Sequence, residues 1–507
     1  MHGTEVARAV TLDHSRILLC SGRMNMVRAI HGCLFLLVSV LVSAQPGAMR
    51  SLYPERLHDD VEMLRVALHE AHPDPYRYHT KAELNALIDA VRDSIRAPMT
   101  VVEFDQALRP IFCAVGDAHC YNEWPAEMAT ELRTRAPLIP LQIRILPDGV
   151  FVEDELKGFR SIPVGSRIIS INDRPIDEVI QKLVTTVITD GANRTYAERL
   201  VEREFPQRYH AYIEESSTFK VTYRTPKKEH GEQIIFGMTG TDIARTRKPV
   251  GASLLPWGST LDPEAGVMWL SMRTMDADSL GLASQRPDRF LASILAEAQK
   301  NKVRTMIIDV RGAGGRELAM AELVFSAIAK TPFRVLDDLY VRSIAPPQQR
   351  PNLVIPEAHY ASADARFLRA SQGTYRLPET DSRLTEHDPM ERAFTGKVYV
   401  VCDGYTRDAA AAFVMMARRT RRARIIGEEV GSNAFGFTGG PEWLLTAPAS
   451  GMRYHIPLLK YVPAGRGEGP LDRGEQPNHP AYQTSGALAK GKDSVRSSLL
   501  EMIRELE

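Results

Sequence analysis

The segment from Lys397 to Glu429 constrains this 507-residue chain more than any other. Lys397-Val-Tyr-Val-Val401 is an apolar run that reads as a buried strand, and Ala409 to Arg419 reads as a helix. Ala423-Arg-Ile-Ile-Gly-Glu-Glu429 then reads as a second short strand ending in Gly-Glu. A strand that turns into a helix and is followed by another strand commits the region to an α/β arrangement. Asp408 stands where the strand becomes the helix. A tight turn exposes a side chain at that point, and the helix N-terminus favours negative charge developing there. Hydrolytic α/β folds put their nucleophile in this place, and this chain puts a carboxylate there.

Three other segments carry chemistry. Val115-Gly-Asp-Ala-His-Cys120 holds a histidine in a short polar turn. Met306-Ile-Ile-Asp-Val-Arg-Gly-Ala-Gly-Gly315 is an apolar strand that runs into a glycine-rich loop, and Gly474-Glu-Gln-Pro-Asn-His-Pro480 lies near the end. In this order the four segments resemble the carboxyl-terminal-processing (tail-specific) serine proteases, in the branch related to tricorn. The resemblance runs from about Leu52 to the C-terminus. It implies that His119 is the general base and that Asp408 occupies the position of the nucleophilic serine. It further implies that backbone amides of Gly314 and Gly315 contribute to an oxyanion hole. Ala313, Cys120 and Asn478 depart from the family pattern, where asparagine, threonine and aspartate stand. No motif fixes the acid of the triad; Glu468, in Gly465-Arg-Gly-Glu-Gly469, lies in the expected region.

The expected architecture is multi-domain α/β. Residues 1–45 read as a signal peptide and leader. Cys33 to Val42 is an apolar stretch preceded by Arg23 and Arg28 and followed by small residues suited to cleavage after Ala44. About ten apolar residues is the length of a signal-peptide core and too short for a membrane span. Residues 46–135 read as an N-terminal helical domain, with Leu57, Val61, Leu64 and Leu68 at helical spacing. Residues 136–250 read as a β-rich module. Within it, Gly165-Ser-Arg-Ile-Ile-Ser-Ile-Asn-Asp-Arg-Pro-Ile176 resembles the strand and turn of a PDZ domain. That likeness implies a peptide added along Ile168, Ile169, Ser170 and Ile171. Residues 251–490 read as a ClpP/crotonase-like α/β core, with 334–391 as a proline-rich, irregular insertion over the active-site face. Residues 491–507 read as a C-terminal helix.

Composition removes several function classes. Lys+Arg and Asp+Glu both number 63, so the chain offers no net field for nucleic acid. The basic run Arg418 to Arg424 reads as the solvated end of a helix and the turn after it. The mature chain would keep Cys113, Cys120 and Cys402, an odd count that provides no disulfide framework. His455 and His479 lack partners at metal-ligand spacing, so neither metal nor cofactor is expected.

The expectation is a periplasmic or secreted homologue of serine-type peptidases, with a protein or peptide partner taken by its C-terminus and membrane contact only through the export signal. Asp408 argues against turnover, because acyl transfer needs an uncharged oxygen nucleophile and an oxyanion site free of charge. The alternatives are an active peptidase using Thr406, Cys120 or Ser432, and a non-catalytic PDZ-type adaptor.

Overall fold

The computed structural model describes residues 51–157, 160–246, 255–348 and 350–505. The leader, Cys33 and the cleavage point after Ala44 lie outside the described residues.

Three helices open the described chain: α1 Pro54–Glu70, α2 Lys81–Ser94 and α3 Val101–Val115. Leu57, Val61, Leu64 and Leu68 all face inward on α1. The starts of α2 and α3 are capping boxes. Thr80 and Thr100 accept the amides of Glu83 and Glu103, whose carboxylates return to the threonine amides. Gly116, with φ 62°, ends α3 in the left-handed conformation and turns the chain toward His119.

These helices share their core with strands from far along the chain. Strand β1, Tyr121–Glu123, follows the Gly-Asp-Ala-His turn. Leu57, Phe104 and Phe112 pack in one apolar cluster with Trp443, Tyr454 and Ile456.

The β-rich module is an antiparallel sheet. Its strands are β2 Leu141–Leu146, β3 Gly149–Glu155, β4 Arg167–Ile171, β5 Arg174–Pro175, β6 Thr218–Arg224 and β7 His230–Phe236. The order is β2-β3-β4-β6-β7, with the short β5 beside β4. Helices α4 Ile176–Val184 and α5 Arg194–Tyr212 pack against each other within this module.

The last sheet orients the site. It is built from β8 Trp257–Asp262, β9 Val267–Met272, β10 Thr305–Asp309, β12 Lys397–Cys402, β13 Arg424–Gly427 and β16 His479–Pro480. Strands β9, β10, β12, β13 and β16 run parallel, and β8 is an antiparallel edge. The period of two sends Met306, Ile308, Val398 and Val400 to one face. There they meet α6 Pro287–Lys300, α7 Leu318–Ser326 and α8 Ala409–Arg419. Ile307, Tyr399 and Val401 go to the other face, under α9 Ser494–Glu505. A strand covered on both sides must be apolar throughout, which is why Val398 to Cys402 shows no alternation.

The segment 334–391 corrects the sequence reading. It is not irregular, since it carries β11 Leu336–Val341 and three two-residue strands. These join an antiparallel sheet around the hairpin of β14 Phe437–Thr446 and β15 Arg453–Pro463. The eleven-residue β15 pairs with β1 through residues 453–455 and with β11 through residues 459–463. Val354, Ile355 and Pro356 of the segment reach the rim of the cleft described next.

Candidate active site

The loops at the C-terminal ends of β10 and β12, together with the Gly-Asp-Ala-His turn, enclose a cleft of about 790 Å³. His119, Tyr121, Tyr196, Gly315, Arg407 and Asp408 line it. Parallel α/β sheets place their ligands at that end, where the loops diverge.

Asp408 is the N-cap of α8, with φ 56° and ψ −124°. Few side chains tolerate positive φ, and such backbone costs on the order of 1–3 kcal/mol. The turn is held in place by three hydrogen bonds. The amide of Arg407 donates to the Ala313 carbonyl (3.0 Å) and that of Ala409 to the Gly315 carbonyl (3.0 Å). The amide of Asp408 itself donates to Ser432 Oγ at 2.8 Å. The strained elbow that would display a nucleophile is therefore present, and it displays a carboxylate.

His119 is positioned by two buried aspartates. Asp117 Oδ1 accepts the His119 amide at 2.8 Å, and Asp190 Oδ1 accepts the Ala118 amide at 2.8 Å. Asp117 also accepts from His72 Nε2 and Thr438 Oγ1. His119 Nε2 lies 3.0 Å from Asp408 Oδ1, a contact close enough for proton exchange or ion pairing. Nδ1, on the other side of the ring, has no hydrogen-bond partner among the described residues, and Asp117 Oδ1 lies 3.8 Å from it.

The electrostatics follow from this packing. Burial by itself would depress His119, but the neighbouring charge of Asp408 overrides it and lifts the imidazole to about 9. For Asp408 burial works against ionisation, yet the charges of His119 and Arg407 hold it below its ordinary 3.8. Burial, then the charge of Asp117, pushes Asp190 up to about 6. Near neutral pH the pair is thus imidazolium and carboxylate, and His119 has no vacant site for a proton.

A raised histidine contributes stability fully below its ordinary 6.5 and loses it as pH climbs through about 9. The depressed Asp408 contributes above its ordinary range and loses it as pH falls. We expect thermal unfolding of the wild type to fall more steeply between about pH 7 and 10 than that of Asp408→Asn. Parallel curves for the two proteins would show that the pair adds nothing to stability.

The glycine loop comes up beside the carboxylate. A Cβ on Gly314 would sit 3.6 Å from Asp408 Oδ2, and one on Gly315 would strike the Met275 carbonyl at 2.3 Å. Only glycine fits at 315. The loop amides do not grip Asp408, whose carboxylate is met by His119 and, at 3.6 Å, by Arg407 Nε. The guanidinium of Arg407 lies over the rings of Tyr405 and Tyr196, 5.6 and 6.0 Å from their centroids.

Other sequence-based candidates lie elsewhere. Thr406 is buried and donates to the Val310 carbonyl at 2.9 Å, while Ser432 is buried against the Asp408 amide. Cys120 is buried, and burial pushes its thiol well above the ordinary 9.0. None of the three lines the cleft. Glu468 is a correction: it is exposed and pairs with Arg418 at 2.9 Å. Arg418 belongs to the last turn of α8, whereas Asp408 caps its first turn. A ten-residue helical span separates such ends by about 15 Å, and Glu468 does not line the cleft.

Ile168, Ile169, Ser170 and Ile171 are a second correction. They form β4, which is hydrogen-bonded to β6 on one side and to β3 and β5 on the other. Ile168 and Ile171 are core residues. An added peptide strand needs a free edge, and the free edges of this sheet are β2 and β7.

Among the described residues one group of atoms approaches metal-ligand spacing: Asp117, His119 and Asp190, within 4.8 Å of one another. Sequence spacing gave no hint of it. Asp190 Oδ2 accepts the Asn433 amide at 3.1 Å, so every carboxylate oxygen of the group already accepts a protein hydrogen bond. The group accounts for itself as the scaffold of the histidine turn.

Residues 270–439 match the family model of peptidase family S41. The fold is similar to that of mature CPAF, with a TM-score of 0.61, 14% identity, and coverage of 89% of this chain and 98% of that one. Mature CPAF complexed with lactacystin gives a TM-score of 0.59 at 13% identity, with 89% and 98% covered. The photosystem II D1 C-terminal processing protease covers 87% of this chain and 98% of its own at 13% identity. Its TM-score is 0.40. No curated protein matches the sequence. The mixed α/β, multi-domain architecture is consistent with the S41 protease fold.

Proposed function

We propose, from the premise that residues 270–439 form a peptidase family S41 domain, that this chain is an exported peptide-binding protein in which serine-type peptidase activity is lost or strongly weakened. One observation carries the reading: Asp408 occupies the strained elbow, 3.0 Å from the histidine of the cleft. A carboxylate attacking an amide would form a mixed anhydride, a poor intermediate for peptide cleavage. Its charge beside Gly314 opposes the oxyanion of a tetrahedral intermediate. It also keeps His119 protonated, which removes the base.

The cleft remains open and lined with tyrosines and arginines, which suits a peptide better than it suits a pure adaptor whose core has closed. The histidine at the base position favours the tricorn-like branch. Fluorescence anisotropy with a labelled unfolded peptide should give saturable binding, competed by casein. Absence of any saturable peptide binding would overturn the proposal.

The export part rests on Cys33 to Val42 and the small residues after it. Intact-mass analysis of protein from the soluble exported fraction should place the mature N-terminus at Gln45. A soluble chain still containing Cys33 would count decisively against export by this route.

A further inference from the structure

The parallel sheet has a second concave surface, at the end opposite the cleft. There β12, β13 and β16 start with Lys397, Arg424 and His479, and Arg304 immediately precedes β10. These four elements are neighbours in the sheet. Adjacent strands lie about 4.8 Å apart, so the four side chains form a row roughly 15 Å long. Lys330 and Arg421 extend it on one flank, and together they line a groove of about 1180 Å³. Seven Lys or Arg residues and His479 line the groove, and no Asp or Glu does. In a chain with equal numbers of acidic and basic residues, such segregation of charge is local and specific.

Part of this charge is structural. Arg418 and Arg419 pair with Glu475 and sit in the last turn of α8, where cations offset the helix dipole. Arg422 is used structurally, donating to the carbonyls of Ile328 and Phe394. Lys330, Lys397, Arg421 and Arg424 are exposed and pair with no carboxylate among the described residues. Four cations crowded without counter-charge repel one another, and an anion with several charges relieves that repulsion.

We propose that this groove is a binding site for clustered phosphates, as carried by a short oligophosphate or by the phosphorylated headgroup of a lipid. Guanidinium forks and ammonium groups suit phosphate oxygens. The one aromatic residue of the groove, Tyr399, is buried, so no platform for stacking nucleic-acid bases exists. The basic run that the sequence suggested was a solvated helix end is one wall of this site, completed by residues from three other segments. The site is independent of the peptide cleft.

The test is calorimetry with inorganic tripolyphosphate at about 50 mM salt, in parallel with flotation on vesicles of phosphatidylglycerol and of phosphatidylcholine. Saturable tripolyphosphate binding near one equivalent is expected, weakened at least tenfold in Lys397→Ala/Arg424→Ala and in Lys330→Glu/Arg421→Glu, with peptide binding unchanged. Binding to phosphatidylglycerol vesicles alone, lost in the same variants, would assign the phosphates to a lipid. Absence of both, equal affinity in the variants, or preference for single-stranded DNA over tripolyphosphate would overturn the proposal.

Discussion

Asp408→Ser should make the cleft react with a fluorophosphonate probe and cleave casein or an unfolded peptide. The substitution removes the charge that faces Gly314 and restores a hydroxyl at the elbow. It also removes the carboxylate that keeps His119 protonated, so that the ring can be neutral and act as base. Loss of a nucleophile or of an oxyanion arrangement costs several orders of magnitude in rate, so partial recovery should exceed the wild type by at least ~100-fold. Adding His119→Ala should abolish the gain. Robust wild-type cleavage that survives Asp408→Ala would refute the mechanism. A folded, peptide-binding Asp408→Ser protein that stays unlabelled would refute the claim that Asp408 is the sole block, and would move attention to Ala313 and Cys120, where the chain also departs from the family pattern.

The largest loss of stability is expected from Asp117→Ala. Its carboxylate is buried and receives His72 Nε2, the His119 amide and Thr438 Oγ1. Burial opposes its ionisation, but the hydrogen bond and charge of His72, the charge of His119 and the hydrogen bond from Thr438 hold it well below the ordinary carboxylate range. Its removal strands three donors at once, two of them on buried side chains, and should cost ~3–5 kcal/mol. Asp117→Asn keeps one acceptor oxygen and should cost less, ~1–3 kcal/mol. Urea denaturation followed by tryptophan fluorescence measures both. A loss below about 1 kcal/mol for Asp117→Ala would mean that water replaces the carboxylate without penalty.

Much of the site was legible because its parts are local. An apolar run, a tight turn and a helix identify the elbow at Asp408, and the Gly-Asp-Ala-His turn marks His119. Their approach to 3.0 Å depended on a family likeness, since nothing in either segment encodes the other. The parts that were not legible are tertiary. Glu468 sits in the appropriate stretch of chain but at the wrong end of α8. Ile168 to Ile171 resemble the strand of a PDZ domain, but β6, some fifty residues later, occupies the edge. Asp190 gives no local signal and matters through two hydrogen bonds to the site loops, while Ser432, read from the sequence as an alternative nucleophile, instead accepts the amide of the elbow. Segment 334–391 hid its strands because they pair with β14, with β15 and with one another instead of folding over a local apolar period.

The course of β15 bears on how this molecule can be taken apart. One continuous strand is zipped to the early chain at its beginning and to residues 336–341 at its end, and the hairpin it forms delivers Thr438 to Asp117. Cutting the chain at the apparent boundary near residue 135 would leave one edge of β15 bare and uncover Trp443 and Tyr454, both now in the shared apolar cluster. The resulting fragment should behave as a sticky, partly molten species, and the excised helices should not fold without the hairpin. The helical region and the catalytic-type core are therefore one cooperative folding unit despite the three hundred residues between their strands. Limited proteolysis should release the β-rich module before it separates these two.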